Sequence, residues 1–172
     1  MIGRKVNITN WNPKSKQLAA VGLCILVLTA VIAAGLAVHA DHRSDARIHA
    51  QQEGRAFAME VVPKLLSYDF DTVAEHFADM QNNLGGDFRR QFEEVGRTVI
   101  VPSARERQVV TTAEVIESSV VDADADNTEL LLFVNQSTTS SESPETKLDG
   151  SRVRVHVERS DGRWLITSLA PV

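Results

Sequence analysis

The chain has 172 residues, 43% of them hydrophobic and 24% charged, with a formal net charge of −5 and one cysteine. That length holds one domain of ordinary size, and the lone Cys24 excludes a disulfide framework and leaves everything C-terminal to it without thiolate chemistry. All four basic residues of positions 1–40 (Arg4, Lys5, Lys14, Lys16) precede an apolar run, and all 23 acidic residues follow it, so the C-terminal part is acidic and unsuited to phosphate-led nucleic-acid binding.

The run from Leu18 to Val38 carries no charge, and eleven of its 21 residues are Leu, Ile or Val. As a helix it measures about 31 Å, the thickness of a bilayer's hydrocarbon core. Its branched residues alone favour insertion by roughly 3–7 kcal/mol. The basic residues before it place Met1 in the cytoplasm and the remainder outside, anchored in the inner (plasma) membrane by a single pass. The alternative is a signal peptide cleaved after Val38-His39-Ala40, but the run exceeds the usual length of such a segment. The organisation read from the sequence is a basic cytoplasmic tail at 1–17, a transmembrane helix at 18–38, a helical stalk at 39–55 and an extracytoplasmic domain at 56–172.

Between Asp41 and Leu66 the rows Phe57, Val61, Leu65 and Ala58, Val62, Leu66 predict an amphipathic helix, with a kink or break at Val62 imposed by Pro63. Thr72 and Glu75 have capping-box spacing ahead of Val73, Phe77, Met80 and Leu84, a second helix ended by Gly85-Gly86. Asp87 is placed to cap a third, with Phe88, Phe92, Val95 and Val99 on one side, interrupted by Pro102. Ser103 and Glu106 suit one last helical turn.

After Gln108 the period becomes that of strands. Val109 to Val121 is rich in β-branched residues. Glu129 to Thr138 contains Leu130-Leu131-Leu132-Phe133-Val134, apolar on both faces as in a central strand. Arg152 to Glu158 alternates, with Val153, Val155 and Val157 inward. Ser160-Asp161-Gly162 predicts a tight hairpin turn into a final strand, Arg163 to Leu169. The Ser/Thr/Glu-rich stretch 137–150 reads as a flexible loop. The fold class is therefore α+β, about three helices packed on a curved four-stranded antiparallel sheet.

Taken in order, Leu65-Leu66-Ser67-Tyr68-Asp69-Phe70, Gly86-Asp87-Phe88-Arg89, Val101-Pro102 to Arg107, Leu131 to Gln136 and Asp161-Gly162-Arg163-Trp164-Leu165-Ile166 resemble the mammalian cell entry (Mce) associated membrane proteins of actinobacteria. The resemblance implies a cystatin-like, nuclear-transport-factor-2-like domain and a non-enzymatic accessory role beside an Mce-type importer of sterols or fatty acids in the cell envelope. The partners it implies are transporter subunits or other envelope proteins. The acidic 137–150 stretch and Pro63 depart from the family pattern. Two alternatives share the architecture: a lipid-binding module with Phe133 and Trp164 lining an apolar pocket, and a scaffold subunit of a secretion complex.

Other chemistry has little to stand on. Asp122-Ala123-Asp124-Ala125-Asp126-Asn127 begins like a calcium loop but has Asn127 and Phe133 where the loop requires Gly and Glu, so it reads as a turn between strands. Tyr68 with Asp69 or Asp71 imitates the acid-base pair of enolising enzymes, yet no further base or oxyanion donor accompanies it. His42 and His49 share a face of the stalk without the additional ligands a metal needs. No phosphate-binding glycine motif is present, and no catalytic, metal or cofactor residue is assigned.

Overall fold

The computed structural model describes residues 46–172, which belong to a compact unit spanning Ser44–Val172. The predicted tail, transmembrane helix and residues 39–45 of the stalk lie outside the described residues. Among those described, no helix is long and apolar enough to cross a membrane.

Residues 46–66 form helix α1, which runs without interruption through Pro63. The expected break at Val62 is absent. A proline removes one backbone donor, whereas Ala58, Val61, Val62 and Leu65 around it are all buried in the main core and hold the turn in place. The stalk expectation is also corrected over residues 46–55. Ala50 is buried, and Gly54 lies so close to Thr128 and Val157 that a side chain there would collide with them. Arg47 pairs with Asp122 at 2.6 Å and Arg55 donates to Ser118 at 2.7 Å. This part of α1 therefore packs on the sheet.

A short strand β1 (Tyr68–Asp69) leads to α2 (Val73–Met80), a 3₁₀ turn (Gln81–Asn83) and α3 (Gly86–Val95). Thr72 occupies the N-cap of α2 but makes no side-chain capping bond. At α3 the N-cap is Gly85, not Asp87. Asp87 lies in the first turn, where it bonds Arg90 at 2.5 Å and its charge complements the helix dipole. Pro102 does not interrupt the third helix. The chain widens into a π-helical segment (Gly96–Ile100) that continues directly into α4 (Val101–Glu106), and Pro102 follows this wider turn without ending the helix.

The sheet has five antiparallel strands in the order β1-β2-β3-β4-β5, one more than the sequence predicts, because β1 is too short to leave a periodic signal. The long strands are β2 (Val110–Ala123), β3 (Asn127–Thr139), β4 (Lys147–Ser160) and β5 (Arg163–Pro171). β3 is central, as its two-sided apolarity predicts. Leu130, Leu132 and Val134 on its inner face join Val153, Val155, Val157 and Ile166 against α1. The hairpin turn has positive φ at both Asp161 (50°) and Gly162 (76°), the backbone of a type I′ turn.

The 137–150 stretch is not one loop. Ser137 pairs with Leu148 and Asn135 with Gly150, so only residues 140–146 connect the strands. This shorter connection is tied to the end of α4: Ser141 donates its backbone N–H to the Arg107 carbonyl at 2.8 Å, and Arg107 pairs with Glu142 at 2.8 Å.

Two bulges bend β2. The register passes over Ile116 and Val121, which are 52% and 53% exposed. Each extra residue reverses the strand's parity, so the inward row moves from Thr111 and Ala113 to Ser118 and Val120, then back to Ala123. Bulges of this kind increase local twist, which helps the sheet curl around the helices.

Candidate functional site

The inner face of the sheet is covered unevenly. Where α1 crosses it, the gap is filled by aliphatic side chains. Beyond Leu65 the chain joins the edge of the sheet as β1, and residues of α2 to α4 face the other end of β2, β3 and β4 across a gap. Between these layers lies a cavity of about 560 Å³, well within the range of small-molecule sites.

Its helical wall is apolar. Phe77 and Phe92 stack at 4.7 Å with an interplanar angle of 7°, and Tyr68 meets Phe77 edge-on at 6.1 Å. Gly96 permits this arrangement, because a side chain at that position would overlap the Phe77 ring. The same row continues through Val95 and Val99, which line the cavity although they are 48% and 53% exposed. The opposite wall is polar: Thr111, Gln136, Thr138, Thr139 and Ser140 come from the strands and their connection. Thr111 is buried, and its hydroxyl lies 3.2 Å from that of Thr138. Arg107, Lys147 and Asp149 also line the cavity, with Lys147 paired to Asp149 at 2.9 Å.

Phe133 and Trp164, expected to share a pocket wall, are not brought together. Phe133 has the opposite parity to Leu132 and Val134, so it points away from the helices. It is 41% exposed, in a shallow groove with Ile116, Pro171 and Val172. Trp164 packs against the main core from the edge of the sheet. Its indole N–H reaches Glu53 at 3.3 Å, and the Arg159 guanidinium, itself paired with Glu53, lies 4.9 Å from the ring centroid. The cavity-lining residues were visible in the sequence as the apolar rows of the second and third helices, but periodicity cannot distinguish a row facing a core from one facing a cavity.

Of the acid-base candidates, only Tyr68 lines the cavity. Asp69 instead accepts the Asp71 backbone N–H at 2.9 Å, closing the turn into α2. In the acidic turn Asp124 accepts the backbone N–H groups of Asp126 and Asn127 at 3.0 and 2.9 Å, and the Asn127 side-chain amide as well. These bonds, the one from Asp126 foremost, hold its carboxyl below the usual value. Asp122 is engaged with Arg47. His49 is exposed, and His76 Nε2 lies 2.8 Å from the Lys64 carbonyl. Among the described residues no three His, Cys, Asp or Glu side chains converge as a metal site would require.

No family model matches the chain. Outer membrane protein Rv1973 of Mycobacterium tuberculosis is 33% identical over 129 residues, covering 74% of this chain and 79% of that protein. The chain belongs to the family of Rv1973. A second relative, the uncharacterized protein Rv1362c of the same organism, is 38% identical over 108 residues, 63% of this chain. The chain spans about half of its length, 49%. Among solved structures, an IcmL-like type IV secretion system protein from Legionella pneumophila superposes with a TM-score of 0.58 at 11% identity, covering 68% of this chain and 89% of that one. Agrobacterium tumefaciens VirB8 superposes with a TM-score of 0.54 at 15% identity, covering 69% and 88%. The chain thus shares the α+β fold of VirB8.

Proposed function

We propose that this chain is a non-catalytic, membrane-anchored subunit that helps assemble a multiprotein complex of the cell envelope. The observation that carries this reading is the fold: the α+β domain shares it with an IcmL-like type IV secretion system protein and with VirB8, over about nine-tenths of each of those chains. Two further features support it. A relative is described as an outer membrane protein, and the acidic side chains that resemble catalytic or calcium-binding groups in the sequence serve turns or an ion pair: Asp69 and Asp124 close turns, and Asp122 pairs with Arg47. On this reading the 18–38 run anchors the chain in the inner membrane, with the N-terminus cytoplasmic and the α+β domain outside.

The scaffold reading has the support of the fold, whereas the finer assignment, attachment to an Mce-type lipid importer, rests on the sequence resemblance alone. Both are tested by one experiment. The full chain, tagged at its C-terminus, is purified in mild detergent and its companions are identified by mass spectrometry. Recovery of importer membrane or substrate-binding subunits supports the Mce assignment. Recovery of a secretion-type assembly transfers the scaffold to that machine. A chain that purifies alone, and whose deletion leaves every envelope complex at its normal abundance, overturns the assembly role.

A further inference from the structure

We propose that the cavity between the helix layer and the open end of the sheet binds a small amphiphile with an apolar body and a neutral hydrogen-bonding head, of the monoacylglycerol class. The proposal does not depend on the assembly role; it concerns what the domain holds, not what it docks on.

The inner row of β3 shows the change in chemistry most directly. It runs Leu130, Leu132, Val134 and then Gln136, Thr138. The first three are buried against α1, and the last two line the cavity. A core extended by the same packing would continue the aliphatic series. Val95 and Val99 instead present an apolar surface to the cavity from the helical side. The cavity therefore has one wall that favours hydrocarbon and one that favours hydroxyl, ester or amide groups. The π-helical turn lies on its helical side and contributes Ile100 beside the two valines; wide turns of this type are frequent at functional sites.

The head group follows from the charges. Arg107 and Lys147 reach the cavity, but Arg107 is paired with Glu142 at 2.8 Å and Lys147 with Asp149 at 2.9 Å. Each of the two cations lining the cavity already faces an acidic partner, so a carboxylate or phosphate head would meet a site whose positive charge is largely offset. A neutral head needs only the free hydrogen-bonding capacity of Thr111 and Thr138, each hydroxyl having one donor and two acceptor positions while sharing a single bond.

The test uses the full chain in phosphatidylcholine nanodiscs with a diazirine-bearing monoacylglycerol, followed by photolysis and peptide mapping. Labels are expected on the peptides containing Phe92 to Ala104 and Gln136 to Ser143, removed by excess unlabelled monooleoylglycerol and not by the same concentration of oleate. Val99→Asp places a charge against the apolar body at an exposed position and should lower cavity labelling by about tenfold or more. Thr138→Val, which keeps the volume and removes the hydroxyl, should lower it by about threefold. Phe133→Ser, on the outer face, should leave it unchanged. Labels confined to the membrane run or the outer face, or labelling indifferent to Val99→Asp, would overturn the site. Equal competition by oleate would overturn the neutral head. Neither outcome bears on which proteins co-purify with the chain, so the two proposals fail separately.

Discussion

The Thr128 hydroxyl donates to the Ala50 carbonyl at 3.0 Å across the buried contact between β3 and α1. Gly54, one helical turn further on, makes the approach possible: a Cβ there would lie 2.7 Å from Thr128 Oγ1 and 2.9 Å from its Cβ. Helix propensity alone predicts that Gly54→Ala stabilises α1 by about 0.5–1 kcal/mol. Overpacking of this kind costs about 1–3 kcal/mol, so the collision wins. The expected result is net destabilisation, measured by urea unfolding. Combining it with Thr128→Ala should recover part of the loss, because the two side chains compete for one space and their effects are not additive. A Gly54→Ala chain more stable than the parent would mean that α1 does not pack here.

Asp124 predicts a specific acid response. Its carboxyl is depressed below 3.8 by the Asp126 and Asn127 donors. A carboxylate with a lower pKa folded than unfolded binds fewer protons in the native state, so its contribution is complete above the unfolded value and is lost as pH falls through the folded one. Asp124→Ala should therefore lower Tm by a constant amount between pH 5 and 7, and the difference should narrow below about pH 3.8. A gap that stays the same down to pH 2 would show that the turn is not held by the ionised carboxylate.

What could be read in advance divides along physical lines. Val153, Val155 and Val157 announced their inward face because an unbulged strand keeps its period of two. β2 did not, because Ile116 and Val121 each shift the parity and no composition marks a bulge of this type. Local chemistry alone predicts a kink or break at Pro63 and an interruption at Pro102, whereas packing accommodates the first and a wider turn precedes the second. The residues that line the cavity escape sequence reading for a different reason. Val95 and Val99 carry the same periodic signal as Val61 and Leu65, and only the polar residues Gln136 and Thr138 opposite them, distant in sequence, distinguish an open space from a core.

The contact between Phe77 and Gly96 should govern the shape of the helical wall. Alanine at 96 would overlap Phe77 Cδ1 and come within 3.0 Å of Cε1. The ring cannot retreat without losing its stack on Phe92. Gly96→Ala is expected to destabilise the domain by about 1–3 kcal/mol. Val99→Ala, at a position 53% exposed, should change stability by less than about 0.5 kcal/mol. Thermal unfolding monitored by circular dichroism compares them directly, and equal effects would contradict the packing described.

Trp164 and Phe133, alike in the sequence as aromatic residues on strands, should separate sharply when truncated. Trp164 packs on the main core and bonds Glu53, while Arg159 lies over its ring. Trp164→Ala removes all three contacts and leaves Arg159, whose Nε is already buried without a partner, against an empty space. A loss of about 3 kcal/mol is expected, the low end of the range for a large aromatic because the indole is only partly buried. Phe133 makes no contribution to either core cluster, so Phe133→Ser should fall within about 0.5 kcal/mol of the parent. If Phe133→Ser instead cost as much as Trp164→Ala in urea unfolding, its outward placement on β3, and with it the parity of the whole central strand, would have to be reversed.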